Sequence, residues 1–251
     1  MKYLIPFLLY SSLFITQNVS GQQTISVDYK EWYAQPAYIS VGTPIFKLVL
    51  RPNSSMYFQS DLIKTKSSSL SSLFSGNEAN KERNFTIKFY DTQKILSLSE
   101  KSNNQVILVS DSLKLIQWKI QKTKSIRYLG LDCYQAKGYF RGRNYTAYFA
   151  PKIKKSDGPF KFSGLPGLII KIASDDNYKI WQAIKINYQE KEVFAIPEKF
   201  KGKSISFANY AKMKKGEDKQ YIKDYKAKNP PKPGESYQMY FDYVEKPLEI
   251  E

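Results

Sequence analysis

Three glycines and two prolines fall within the eleven residues from Asp157 to Gly167, as Gly158, Pro159, Gly164, Pro166 and Gly167. Proline fixes φ and glycine admits positive φ, so such a run specifies one non-repeating backbone path. It passes directly into Leu168-Ile169-Ile170-Lys171-Ile172, a β-branched stretch that reads as a strand. The chain therefore has to accommodate a shaped turn that feeds a core strand.

The residues around it continue the β theme. Ile25–Tyr29, Phe46–Leu50, Ser55–Phe58, Phe85–Phe89, Lys94–Ser99, Gln105–Val109, Leu115–Ile120 and Ser125–Leu129 read as short strands separated by polar turns. Tyr134–Phe140 and Asn144–Phe149 form a hairpin across Arg141-Gly142-Arg143, and Leu168–Ile172 and Tyr178–Ile186 another across Ser174-Asp175-Asp176-Asn177. In the last strand Tyr178, Ile180, Ile184 and Ile186 share a face at period two. The 20 Tyr and 15 Phe suit strands better than helices. The expected class is mainly β: a curved antiparallel sheet or partly open barrel. Ser206–Lys226 is Lys-rich, with Tyr210, Met213, Tyr221 and Tyr225 at helical spacing, an interruption at Gly216 and a Pro-rich end. It predicts a basic C-terminal helix over Ser206–Lys226, which with its Pro-rich end makes up a segment 206–234.

Residues 1–21 read as a signal peptide, with Lys2 as the basic region and Leu4–Ile15 as the apolar one. Val19-Ser20-Gly21 places cleavage before Gln22. Residues 22–251 then form one β-rich domain, in which 64–84, rich in Ser and Asn, is a mobile surface loop. Cys133 is the only cysteine, so no internal disulfide is available, and it is expected as a small apolar core residue.

The chemistry available is narrow. The chain has no histidine, which removes Ser-His and Cys-His nucleophile pairs and imidazole metal sites. One cysteine removes thiolate zinc and iron–sulfur sites within the chain. No P-loop, dinucleotide fingerprint, Gly-x-Ser-x-Gly elbow or penicillin-binding Ser-x-x-Lys pair occurs. No catalytic, cofactor or metal residue is assigned, and the expectation is a non-enzyme without cofactor. A glycosidase built on two carboxylates stays open, although Asp175 and Asp176 read as turn-capping residues. Tyr139 or Phe140, Tyr145, Tyr148, Phe149, Phe160, Phe162, Tyr178 and Trp181 read as one half-buried sheet, or alternatively as a glycan- or lipid-binding face. The net charge of +16 reads first as a solvated basic surface. For an exported chain the partners it suits are anionic lipid or glycan groups or an acidic protein surface, and not nucleic acid.

The run from Asp157 to Ile169 resembles the signature of the GLPGLI family, exported proteins of Bacteroidetes. The likeness extends to Gly130–Ala136, Arg141-Gly142-Arg143, Tyr145–Pro151, Trp118-Lys119-Ile120 and the terminal Pro247–Glu251. Tyr148 and Phe160 stand where that family usually has tryptophan. The resemblance implies no established activity. It does imply a gene encoded beside outer-membrane β-barrel receptors of the TonB-dependent kind, which is an association and not a mechanism. The expected function is a periplasmic or outer-membrane-associated accessory of such a barrel, with a periplasmic carrier of lipid or another amphiphile as the alternative. Gly158, Pro159, Gly164, Leu165, Pro166, Gly167, Leu168 and Ile169 are the candidate interaction motif. Asp111-Ser112-Leu113 fits the O-glycosylation acceptor pattern of Bacteroidetes, making Ser112 a candidate modification site.

Overall fold

The computed structural model describes residues 24–33, 44–60, 85–100, 105–191, 196, 198–230 and 245. The expected leader 1–21, loop 64–84 and terminal strand or arm, Glu245 apart, lie outside the described residues.

Alternating β-branched and aromatic residues form β1 (Ile25–Tyr33), β2 (Ile45–Leu50), β3 (Ser54–Gln59), β4 (Thr86–Phe89), β5 (Lys94–Glu100) and β6 (Val106–Ser112). The second half contributes β7 (Lys119–Tyr128), β8 (Leu131–Phe140), β9 (Arg143–Ala150), β10 (Leu168–Ser174) and β11 (Lys179–Asn187). A two-residue β12 (Ile205–Ser206) leads into helix α1 (Phe207–Lys228). Hairpins β7–β8 and β8–β9 turn on consecutive positive-φ pairs, Leu129-Gly130 (50° and 73°) and Arg141-Gly142 (44° and 85°). That is the turn geometry matched to strand twist.

The sheet order is β12-β6-β5-β4-β3-β2-β1-β11-β10-β9-β8-β7. Strands β1 to β11 pair with their chain neighbours, and β1 pairs antiparallel with β11, Val27 opposite Ile186. This is the cyclic order of an up-and-down barrel in which one ladder, β6–β7, does not form. The chain crosses that seam in Leu113–Trp118, which spans at most about 24 Å. Laid flat, the ten strand steps from β6 to β7 would cover about 48 Å. The sheet therefore curls until its two edges approach each other. A curved, open β-sheet with a C-terminal helix is the observed class.

One large cluster fills the inner side, including Val27, Tyr29, Leu48, Tyr57, Tyr145, Phe162 and Trp181. Val49, Met56, Phe58, Ile87, Leu96 and Leu98 form a second cluster on the other side of β2–β5, covered by Phe200. Cys133 is fully buried in the inner cluster, with its thiol against the Leu131 carbonyl.

Three local expectations are corrected. Leu115–Ile120 and Ser125–Leu129 are not two strands. From Lys119 to Tyr128 they are the single β7, in which Gln121 faces Gln135 and Ser125 faces Tyr134, so Lys122-Thr123-Lys124 bulge out of the ladder. In β11 Ile180, Ile184 and Ile186 do not share one face at period two, and its buried positions are Trp181 and Ala183. Partner residues step from Asp28↔Lys185 to Tyr29↔Ala183, a bulge that takes Ile184 out of register. Gly216 does not interrupt α1: the helix runs through it with open space around its Cα. Ser206 caps the start, accepting the Asn209 N–H at 3.2 Å. Only Phe207 and Ala211 of α1 are buried, so the helix docks by its first turns and projects from there. Among the described residues no helix is long and apolar enough to cross a membrane.

Candidate functional site

The β9–β10 connection carries the glycine-proline run, and it folds into the interior. Phe162, fully buried, packs its ring against Tyr145 (4.9 Å between centroids), Trp181 (5.1 Å) and Phe140 (5.4 Å). An irregular loop taken into a core needs partners for its polar groups, and the side chains of Asp157 and Lys88 provide them. Asp157 Oδ1 accepts from Lys88 Nζ at 2.5 Å and from the Gly158 N–H at 2.6 Å. Its Oδ2 accepts from the Tyr90 hydroxyl at 2.5 Å. Lys88 donates also to the carbonyls of Gly158 (2.7 Å) and Phe162 (3.0 Å). Lys88 is 1% and Asp157 0% exposed, and the three acceptors use all three ammonium protons.

Burial pushes Lys88 below the usual lysine range, against the charge and hydrogen bond of Asp157. Burial first, and the Asp157 charge second, push the hydroxyls of Tyr29 and Tyr90 well up, so both stay donors. Tyr29 donates to the Ile169 carbonyl at 2.5 Å, and the Ile169 N–H to the Asp157 carbonyl at 2.8 Å. Two more bonds stitch the loop to the seam: Trp118 Nε1 to the Ser163 carbonyl (2.7 Å) and Ser163 Oγ to the Leu113 carbonyl (3.0 Å).

Two motif glycines have distinct reasons. A Cβ on Gly167 would meet the Ala150 carbonyl oxygen at 2.5 Å and Pro151 Cα at 2.7 Å, both backbone. Gly164 has room, with its nearest neighbour at 3.5 Å, but it adopts φ +95°. Of the expected interaction motif, Gly158, Pro159, Leu165, Gly167, Leu168 and Ile169 are buried, while Gly164 and Pro166 reach the surface. The motif is a packing unit with a two-residue rim.

Beside that rim lies an open groove of about 690 Å³ along the seam. It is lined by Leu113, Lys114, Ile116 and Gln117 of the seam segment, by Lys154, Lys155 and Ser156 of the β9–β10 connection, and by Tyr90 and Gln93. A second charged cluster ties the hairpin tip to β6 and α1. Arg141 pairs with Asp111 and Glu245, and Lys161 with Glu245 at 2.7 Å and Asp111 at 3.6 Å. The Phe207 ring lies 3.1 Å from the Arg141 guanidinium carbon. Ser112 sits at this edge, exposed, its Oγ accepting the Lys114 N–H at 3.3 Å. A third cluster holds Glu31, which accepts from Tyr57 and pairs with Lys179 at 2.6 Å. Asp175 and Asp176 brace their turn: Thr146 donates to Asp175 at 2.7 Å, and Asp176 accepts the Tyr178 N–H at 3.1 Å. Of the expected aromatic face, Tyr139 is exposed, Tyr148 and Phe160 are half-buried, and the others are core.

Sequence reasoning missed Lys88. A period-two pattern assigns a lysine between Ile87 and Phe89 to solvent, yet it faces inward. The signal available was Asp157 itself, an acid inside a run otherwise suited to burial.

No family model matches the chain, and no curated protein matches it. Two structures of PNGF-II, in space groups P21 and C2, superpose with TM-scores of 0.54 and 0.52 at 14% identity. They cover 76% of this chain and 33% and 32% of theirs. A Vibrio parahaemolyticus domain named for outer membrane lipoprotein sorting aligns over 71% of this chain and 89% of its own, at 6% identity and a TM-score of 0.31. This chain spans about a third of the length of PNGF-II, and what it shares with that part is the fold.

Proposed function

We propose that the chain is a non-enzymatic cell-envelope protein that acts by docking, as an accessory of an outer-membrane β-barrel receptor. The observation that carries the non-enzymatic part is the commitment of the inner acid–base groups. Asp157 is spent on Lys88 and Tyr90, Glu31 on Lys179 and Tyr57, and Asp111 on Arg141 and Lys161. A general acid or base needs a free side toward its substrate, and these carboxylates hold strands and loops together. The export-like leader and the resemblance to the GLPGLI signature support the envelope and the barrel partner. Capture of the tagged full chain from native outer membranes tests the reading. A barrel receptor in stoichiometric amount is expected; recovery of free monomer alone overturns it.

The curved sheet supports a second reading, a periplasmic carrier of an amphiphile. Tyr29, Tyr145, Phe162 and Trp181, each at most 1% exposed, occupy the inner side, so cargo would lie at the surface groove. Delipidated chain that takes no fluorescent lipid from donor vesicles would remove this reading.

A further inference from the structure

The groove along the seam is basic. Its lining residues include three lysines, Lys114, Lys154 and Lys155, and no carboxylate. Lys155 is held in place by a 3.1 Å bond from Nζ to the Arg51 carbonyl, whereas Lys114 and Lys154 are exposed. The lysines come from two separate segments that both line the groove, one on the seam segment and two on the loop before Asp157. Leu113 and Ile116 supply an apolar strip beside the charges, and Gln93, Gln117 and Ser156 supply neutral polar groups. Gly164 leaves the rim without a side chain. The volume, about 690 Å³, is that of a small-molecule site.

We infer that this groove binds a phosphate ester carried on a small polyol, the glycerol phosphate unit. A phosphate presents oxygens in several directions and can meet ammonium groups from both segments. A carboxylate presents two in one plane. The polyol meets the amides and hydroxyl, and any acyl continuation leaves along Leu113 and Ile116. The unit has two sources, free glycerol phosphate or the headgroup of phosphatidylglycerol. The site does not depend on a protein partner, since capture of a barrel and binding at the groove are read in separate assays.

The test uses the full chain with two probes: glycerol 3-phosphate by calorimetry, and phosphatidylglycerol–phosphatidylcholine vesicles by co-sedimentation at about 0.1 M salt, where long-range attraction is screened. Lys114→Gln with Lys154→Gln removes two groove charges. Lys122→Gln with Lys124→Gln removes two from the β7 bulge. The groove pair should bind roughly thirtyfold more weakly and the bulge pair within about twofold of wild type, the scale set by two lysines close to an anionic surface. Binding of both probes, or of the free one alone, supports the site with a soluble source; binding of vesicles alone supports it with a lipid source. Equal losses in the two pairs would mean general basic attraction and overturn the site, as would wild-type chain that binds neither probe.

Discussion

Lys88 Nζ lies 2.5 Å from Asp157 Oδ1, both side chains hidden from solvent, and the pair joins β4 to a loop 69 residues further on. Removing one partner strands the other. Lys88→Met and Asp157→Asn should each lose about 3–5 kcal/mol of unfolding free energy in urea titrations. The double substitution should lose clearly less than the sum, because neither charge is then left alone. Strict additivity would mean that the two side chains act independently.

Glycine substitutions should rank by what each Cβ meets. Gly167→Ala drives an atom into the backbone of Ala150 and Pro151 and should cost about 3 kcal/mol or more. Gly164→Ala has the room but an unfavourable φ, and should cost about 1–2 kcal/mol. Gly216→Ala, mid-helix with nothing within 4 Å, should gain up to about 1 kcal/mol. Thermal unfolding of the three variants checks the order.

Asp176 gives an acid-side signature. Burial pulls its pKa up. Hydrogen bonds from Ser174 and the Tyr178 N–H, with the Arg143 charge, outweigh that and hold it below the usual aspartate range. A depressed folded pKa contributes stability that is present above the unfolded value and lost as pH falls through the folded one. Unfolding free energy should therefore decline as pH drops below about 3.8, and Asp176→Asn should flatten that part of the curve. Denaturant titrations between pH 5 and 2 read it; an identical slope in the variant would contradict the assignment.

The bulge Lys122-Thr123-Lys124 interrupts the exposed edge strand β7 with two cations. Interrupted, charged edges resist pairing with other chains. Deleting the three residues should restore a regular edge bearing Ile120 and Ile126, and raise self-association in sedimentation velocity. A deletion variant that remains monomeric at high concentration would refute the protective role.

Cys133 should be silent until the chain unfolds. Burial, and then the Asp132 charge, push its thiol up to about 11. At pH 8 its reaction with a disulfide reagent should be at least about a hundredfold slower in folded than in urea-unfolded protein.

Much of the β framework is legible in the sequence because aliphatic alternation is local. Phe46–Leu50, Ile95–Leu98 and Tyr145–Phe149 announce their strands, and Arg141-Gly142 announces its hairpin. The C-terminal helix is legible within two residues at each end. What is lost depends on contacts distant in sequence. The period cannot reveal a bulge, so β7 splits into two predicted strands and the single face assigned to Tyr178, Ile180, Ile184 and Ile186 is broken in β11. Lys88 is buried only because Asp157 arrives to meet it, and binary patterning has no term for that. The groove is assembled from Leu113–Gln117 and Lys154–Ser156, which the seam brings together and neither stretch signals. The motif was legible as a shaped turn; that six of its eight residues lie inside follows from Phe162 and Lys88.

The β1–β11 ladder also orders events in time. β1 is made first, yet the strand that closes its free side is the last of the eleven, with Ser26 waiting for Asn187. Until then Val27 and Tyr29 lack the inner cluster that buries them, and the first six strands form an incomplete wall. A pairing so far apart in sequence is slow to form. The neighbouring hairpins can pair as they emerge, but the inner cluster cannot close over Val27 and Tyr29 until β11 arrives.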